Sequence, residues 1–349
     1  MKILPSKNLK KYNSFALNEE AELILEAESI QDLIDIWSSP EYSTFVKLPL
    51  GRGSNTLFCG TFSGIVVLNR IFGKKVKELD NEYLITVSSG EDWPKFVEWC
   101  VDNHYYGIEN LAMIPGCVGT SPIQNIGAYG IEFKDVCESV EYLNLTTLKV
   151  ESLNRDECLF DYRDSIFKNE LKDNVIITAV TLRLSKSWAP LLSYGPLSVL
   201  NSSETTVREV YEAICKIRTE KLPDPALLGN AGSFFKNPII SNEHYSDLTL
   251  RFPNMPAYPF GDQKKIAAGW LIDNAGLKGV KINGAQVHKE QALVLINNGT
   301  AISSDILTLA NHVKTKVFEK YQIELEHEVR FYLGAKETFL SELFNERTC

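Results

Sequence analysis

The side chains with the most chemistry to offer fall in four short stretches. Residues 115–130 read Pro-Gly-Cys-Val-Gly-Thr-Ser-Pro-Ile-Gln-Asn-Ile-Gly-Ala-Tyr-Gly, four glycines and two prolines among sixteen residues. Such a composition sustains no long helix or strand. Its glycines permit close backbone approach, and its N–H groups could ring a pyrophosphate as nests and helix N-termini do. Read alone it is equally a long surface loop, although Val118, Ile123 and Ile126 argue for order. A second Gly-rich turn, Gly51-Arg52-Gly53-Ser54-Asn55, follows an apolar run at 45–50 that reads as a strand. A third stretch, Gly229-Asn230-Ala231-Gly232-Ser233-Phe234-Phe235-Lys236-Asn237-Pro238, sets a hydroxyl on a tight turn ahead of two anchoring aromatics. In the fourth, Phe160-Asp161-Tyr162-Arg163-Asp164-Ser165-Ile166-Phe167-Lys168, an arginine stands between aspartates.

Several chemistries are excluded by what these stretches lack. The 51–55 spacing is not the dinucleotide fingerprint, no strand–helix unit follows it, and no Gly-Lys-Ser/Thr phosphate loop occurs. Ser233 lies in no Gly-x-Ser-x-Gly elbow, which leaves a hydrolase triad unsupported. Five histidines form no His-Glu-x-x-His pattern, so no metal site is expected. The seven cysteines, from Cys59 to Cys349, are scattered without a Cys-x-x-Cys pair and suit free thiols in a reducing compartment. A net charge of −9 argues against nucleic acid or an anionic membrane as partner. No run approaches the length of a membrane span and the N-terminus has no apolar signal core, so a soluble cytoplasmic protein is expected.

The elements that must position these groups follow from periodicity. Residues 21–27 alternate as a strand. Ser29 caps a helix bearing Leu33, Ile34, Ile36 and Trp37, with Asp32 at capping-box spacing. Residues 64–69 form another strand, and 74–79 with 83–88 a hairpin. Trp93, Phe96, Val97, Cys100 and Val101 give the core stripe of a helix. Strands are expected at 139–145, 149–153 and 174–184, a loop at 188–200, and a helix at 206–219 that stops before Pro223 and Pro225. Beyond lie a helix at 266–275, strands at 286–288 and 292–297, and a helix at 303–321 with Ile306, Leu309, Ala310, Val313, Val317 and Phe318 inward. Residues 323–331 alternate as a strand, with Glu324, Glu326, Glu328 and Arg330 on one face, which read alone is a solvated face. A short terminal helix returning to the first region is expected in 334–349. Hairpins with few helices indicate an α+β fold.

The two Gly-rich stretches, with Ile114-Pro115-Gly116-Cys117-Val118-Gly119 and Gly127-Ala128-Tyr129-Gly130 as their core, resemble the UDP-N-acetylenolpyruvylglucosamine reductase family. The resemblance continues through Tyr-Arg-Asp-Ser-Ile-Phe-Lys at 162–168, the Ser233 segment and Glu-x-Glu-Val-Arg-Phe at 326–331. It implies an α+β flavoprotein whose FAD-binding fold is like that of vanillyl-alcohol oxidase. The implied regions are FAD-binding subdomain 1 at 1–70 with the tail 332–349, FAD-binding subdomain 2 at 71–222, and a substrate domain at 223–331.

The resemblance also implies the reaction. NADPH reduces FAD, which reduces UDP-N-acetylglucosamine enolpyruvate to UDP-N-acetylmuramate for peptidoglycan, in a cytoplasmic monomer. The implied FAD contacts are Gly51, Arg52, Gly53, Ser54, Asn55, Pro115, Gly116, Cys117, Gly119, Thr120, Ser121, Gln124, Asn125, Gly127 and Ala128. The implied catalytic set is Ser233 as proton donor, Arg163 facing the substrate carboxylate, and Glu328. Tyr129, Tyr162, Lys221, Asn237 and Gln291 are implied substrate contacts, and Tyr194 matches the inserted tyrosine loop of one subclass. His327 stands where the family pattern has proline. Two other classes remain: a flavin- or sugar-nucleotide-binding protein without catalysis, and another flavin oxidoreductase such as a small-alcohol oxidase. The latter often tether FAD through a histidine or cysteine in the first Gly-rich loop. Residues 51–55 hold neither, so FAD is expected to be non-covalent.

Overall fold

A computed structural model describes residues 1–200 and 204–345; Cys349 and the last residues of the expected terminal helix lie outside the described residues. The chain divides into two compact units. The first comprises Met1–Ser6, Leu23–Arg52 and Ile65–Glu220, the second Lys7–Glu22, Gly53–Gly64 and Lys221–Cys349. Mixed sheets and helices make both α+β.

The first unit is built on two sheets. One has the strand order Lys2–Ile3, Ala21–Ala27, Phe62–Asn69, Lys47–Leu50, the last pair parallel. The helix Ile30–Ser38 buries Leu33 and Ile36. Ser29 caps it by accepting from the Asp32 amide at 3.1 Å, while Asp32 accepts from Glu28 rather than from the cap residue. The other sheet is antiparallel throughout, in the order Val150–Asn154, Cys137–Asn144, Val175–Ser185, Glu82–Ser88, Lys74–Glu78. The helix Trp93–Asp102 buries Trp93, Phe96, Val97, Cys100 and Val101 in the same core as that sheet's Ile85, Val140 and Val180. The expected loop at 188–200 contains a short 3-10 helix, Gly195–Val199.

The second unit centres on a four-stranded sheet in the order Asn230–Ser233, Val294–Asn297, Ala285–Val287, Lys281–Ile282. The helix Ser303–Tyr321 lays Ile306, Leu309, Ala310, Val313 and Val317 into its core. Phe318, expected inward, is 47 % exposed, because it falls past the edge of that stripe. Two further corrections concern boundaries. Ile266 closes the strand Gln263–Ile266, and the helix begins only at Ala268. Between 323 and 329 the buried–exposed alternation holds, but the strand proper is Arg330–Leu333, parallel to Thr56–Phe58. The terminal helix Leu340–Asn345 buries Leu340 in this unit's core.

Candidate active site

In the first unit, the 115–130 stretch is an ordered loop pinned at many points. Cys117 is buried at the entry of the 3-10 turn Val118–Thr120. Thr120 Oγ1 accepts from the Cys117 amide at 3.2 Å and donates to its carbonyl at 2.8 Å, and Ser121 Oγ donates to the same carbonyl at 3.2 Å. Gly51 and Gly119 let backbone approach closely here. A Cβ at Gly51 would lie 3.0 Å from Cys117 Sγ, and one at Gly119 would lie 2.4 Å from Ser89 Cβ. Arg52 pairs through Nε with Asp92 at 2.9 Å, and Asp92 also caps the helix Trp93–Asp102. Pro115 is exposed and Gln124 half-buried on the loop. Gly127–Ala128 pairs with Ile131–Glu132 as a small ribbon.

This loop is stitched to the Arg163 segment. Asn125, fully buried, donates to the Asp161 carbonyl at 3.0 Å. Ser165 Oγ donates to the Ile123 carbonyl at 2.7 Å. Arg163 reaches the Gly127 carbonyl at 3.1 Å and sits 5.4 Å from the Tyr162 ring centroid. Arg163 has a positive φ of 55°, a left-handed conformation costly for a non-glycine residue, and the Lys168 ammonium donates to its carbonyl at 2.7 Å. The guanidinium is thus aimed by its own backbone and by two loops. Tyr129 and Tyr194 meet edge to face, 6.0 Å between centroids. Burial pushes the Tyr129 hydroxyl pKa up, with Arg218 opposing the shift.

The second unit holds the other half of the expected set. Ser233 is exposed at the end of Asn230–Ser233, opposite Val294. Phe234 and Phe235 behind it are buried. The Phe234 carbonyl accepts from the Glu328 amide at 2.8 Å, and the Glu328 carbonyl accepts from Asn55 Nδ2 at 3.1 Å. The Arg330 amide in turn donates to the Asn55 carbonyl at 3.0 Å. Gly53 is held against the backbone of Tyr12, and its carbonyl accepts from Ser14 at 3.0 Å; Ser54 is half-buried beside it. His327 keeps the Glu328 segment in place without a proline: its ring stacks on Phe331 at 4.2 Å, and Nδ1 donates to the Val329 carbonyl at 2.7 Å. Asn237 Oδ1 accepts from the Ala268 amide at 2.9 Å, and a Cβ on the adjacent Gly269 would lie 3.5 Å from Gln291 Oε1. Asn237 and Gln291 therefore both lie at the start of Ala268–Asn274. Lys221 is exposed at the end of the helix Val207–Lys221.

At three positions the sequence does not show the tying role: Asn55 and Asn125 are expected as FAD contacts, and Ser165 only as part of the arginine motif. Ser165 and Asn125 act as ties between loops, and Asn55 as a tie to Glu328. Only the serine has a sequence signal, its place two residues after the arginine. The residues of 51–55 and 115–128 suit a non-covalent flavin dinucleotide. They contribute no carboxylate side chain, the loop is built for close backbone approach, and burial pushes the Cys117 thiol pKa up so that it stays neutral.

The model of an FAD binding domain matches residues 21–149, and that of the UDP-N-acetylenolpyruvoylglucosamine reductase C-terminal domain matches 224–332. The UDP-N-acetylenolpyruvoylglucosamine reductase of Aliivibrio fischeri is 68% identical over 348 residues, covering 100% of both chains. That of Salmonella typhimurium is 50% identical over 325 residues, covering 93% of this chain and 95% of its own. The crystal structure of the Thermus caldophilus enzyme, at 22% identity, aligns over 95% of this chain and 100% of its own with a TM-score of 0.67, a likeness of fold. This chain belongs to the UDP-N-acetylenolpyruvoylglucosamine reductase family.

Proposed function

We propose that the chain carries out its family's reaction with Arg163, Ser233 and Glu328 as the catalytic groups. The reaction is the NADPH-dependent reduction of UDP-N-acetylglucosamine enolpyruvate to UDP-N-acetylmuramate, a step of peptidoglycan precursor synthesis. Bound FAD supplies the two-electron transfer between NADPH and C3 of the enol ether. We assign its binding to 51–55 and 115–128, without a covalent bond.

Reduction at C3 leaves negative charge delocalised from C2 into the carboxylate. Arg163 sets a permanent positive charge against that enolate, with a fork that matches two carboxylate oxygens. The proton comes from Ser233: its O–H bond breaks as the C2–H bond forms. A serine hydroxyl is a weak acid, but an enolate is a strong base, so the transfer depends on geometry. Glu328 orients or polarises that region. The observation that carries this reading is the Glu328 amide bonded to the Phe234 carbonyl, one residue beyond Ser233.

We assign Lys221, Asn237, Gln291 and Tyr194 to the substrate diphosphate and nucleotide, and Tyr129 and Tyr162 to further substrate contacts. With Asn237 Oδ1 engaged by Ala268, its Nδ2 is the donor offered to substrate. No helix among the described residues is long and apolar enough to cross a membrane. We propose a cytoplasmic monomer that binds neither nucleic acid nor membrane, organised in the three regions 1–70 with 332–349, 71–222 and 223–331. The six described cysteines are free, in keeping with a reducing compartment.

The test is an anaerobic visible spectrum of the purified protein. A yellow protein bleached by NADPH and recoloured by UDP-N-acetylglucosamine enolpyruvate is expected. Bleaching without recolouring would move the acceptor to another class, and a colourless protein that does not take up FAD would overturn the reading.

A further inference from the structure

Asn110 has no task in the reaction described so far, yet two loops meet on its side chain. It is buried in the middle of the 3-10 helix Glu109–Leu111. Its Nδ2 donates to the Tyr129 carbonyl at 2.9 Å and to the Leu191 carbonyl at 3.0 Å. A side-chain amide nitrogen carries two N–H donors, and here each is spent on a different loop. One belongs to the Gly-rich stretch 115–130, the other to the loop 188–200 that carries Tyr194.

Both ends of this bridge are built for contact. Tyr129 has φ 49°, a left-handed conformation that persists only where the surroundings hold it. Gly130 follows at φ +90°, and a Cβ there would lie 3.1 Å from Leu191 Cδ2 and 3.8 Å from Tyr194 Cβ. The loop is thus seated directly on the Tyr129–Gly130 turn. Its foot is fastened by the residue next to Asn110: buried Glu109 accepts from Trp188 Nε1 at 2.7 Å and from the Gly107 amide at 2.8 Å. Leu192 and Leu197 enter the core on either side of Tyr194, which stays 47 % exposed. Apolar anchors are non-directional and set how deep the loop lies. The directional bonds of Asn110 set its backbone against Tyr129. Across that join Tyr129 and Tyr194 form their edge-to-face pair, 6.0 Å between centroids.

We propose that Asn110 is a positioning residue: its two hydrogen bonds seat the 188–200 loop on the Tyr129 turn and so hold Tyr194 where it meets the substrate. The proposal rests on the reading of Tyr194 as a substrate contact. A buried asparagine that merely satisfied two carbonyls would serve the fold alone, and the two roles differ in what a substitution changes.

The experiment uses FAD-loaded Asn110→Ala, Asn110→Asp, Tyr194→Ala and the double variant Asn110→Ala with Tyr194→Ala, beside the unaltered protein. Asn110→Asp keeps the size of the side chain and removes both N–H donors, so it separates the bonds from the packing. Stopped flow follows flavin reduction by NADPH and reoxidation over a range of enolpyruvyl nucleotide concentrations. Chymotrypsin cleavage within 188–200, located by mass spectrometry, reports how often the loop leaves its seat. Loss of the two bonds raises the nucleotide concentration that half-saturates reoxidation by about tenfold in both Asn110 variants. The limiting rate changes less, and reduction by NADPH stays as it was. Cleavage of the loop speeds up by a similar factor, since it tracks the unseated population. Because Asn110 acts through Tyr194, the double variant is no worse than Tyr194→Ala alone. Unchanged half-saturation in the Asn110 variants while Tyr194→Ala raises it would overturn the proposal. So would a double variant in which the two effects add, or a lowered melting temperature as the sole effect. If Tyr194→Ala itself leaves half-saturation unchanged, the reading of Tyr194 fails instead. The cleavage rate then decides the role of Asn110, and equal rates in the Asn110 variants and the unaltered protein would refute it.

Discussion

The Glu328 amide donates to the Phe234 carbonyl across 2.8 Å, which ties the residue after Ser233 to the residue that carries the carboxylate. The two segments lie almost a hundred residues apart in sequence, so the tie fixes a long-range register. Buried Phe234 and Phe235 on one side and the His327–Phe331 stack on the other hold that register. Positioning of this kind is what a proton donor with an unfavourable pKa requires.

Replacing Ser233 by alanine therefore affects one half-reaction. Bleaching of the flavin by NADPH stays nearly unchanged, while recolouring by the enolpyruvyl nucleotide slows by about 10²–10⁴-fold, the usual worth of a general acid. Stopped-flow absorbance reads the two phases separately. Equal slowing of both would remove Ser233 from the proton transfer.

Two glycines with similar backbone angles make a stability test. Gly53 has φ +61° and Gly232 has φ +70°. A Cβ at Gly53 would lie 2.0 Å from the Tyr12 carbonyl oxygen, whereas one at Gly232 meets nothing within 4 Å. Gly232→Ala bears only the left-handed penalty of about 1–2 kcal/mol. Gly53→Ala adds a backbone clash and costs about 3 kcal/mol or more. Urea unfolding of both variants measures the difference, and equal costs would contradict the close packing at Tyr12.

His327 gives a pH dependence with a defined sign. Burial, the largest cause, pushes its pKa below 6.5; the Val329 carbonyl and Glu326 oppose this, and Lys236 and Lys314 add to it. Below pH 6.5 the unfolded chain takes up a proton that the folded one resists, so stability is full above 6.5 and falls as the pH drops toward the folded pKa. His288 is depressed in the same direction, but its contribution cancels when a His327 variant is compared with the unaltered protein. His327→Gln should become more stable relative to the parent as acidity increases, read by urea midpoints on either side of that pH. A constant difference between the two proteins would show that His327 does not titrate in this way.

Much of this was legible in the sequence because the relevant signals are local. The stripe Trp93, Phe96, Val97, Cys100, Val101 is buried as its spacing requires, and the hairpin at Lys74–Glu78 and Glu82–Ser88 forms where its turn residues stand. The alternation from Ile323 to Phe331 was legible too, yet only Arg330–Leu333 is strand. Burial pattern reports which side faces the core, whereas strand pairing depends on a partner, here Thr56–Phe58, far away in sequence. The Gly-rich stretches announced backbone approach but not what holds them. Asn125, Ser165 and Asn55 act through carbonyls of distant residues, and no spacing rule encodes such a bond.

Ser165 offers the sharpest test of how the Arg163 loop is held. Its hydroxyl donates to the Ile123 carbonyl at 2.7 Å and accepts from the Phe167 amide at 3.2 Å, and the residue is 1 % exposed. Ser165→Ala leaves a part-buried carbonyl and a buried amide each short of a partner, at a cost of about 1–3 kcal/mol in stability. The functional effect follows from position: Arg163 lies two residues away and is held at φ 55° with its guanidinium on Gly127. Loosening the loop should lower kcat for enolpyruvyl reduction by about tenfold, with flavin bleaching by NADPH little changed. Ser165→Thr keeps the hydroxyl and should restore part of both losses. Stopped-flow and urea unfolding on the pair of variants read the two effects together. A Ser165→Ala protein with lower stability but an unaltered second half-reaction would show that the tie to Ile123 supports the fold without positioning the arginine.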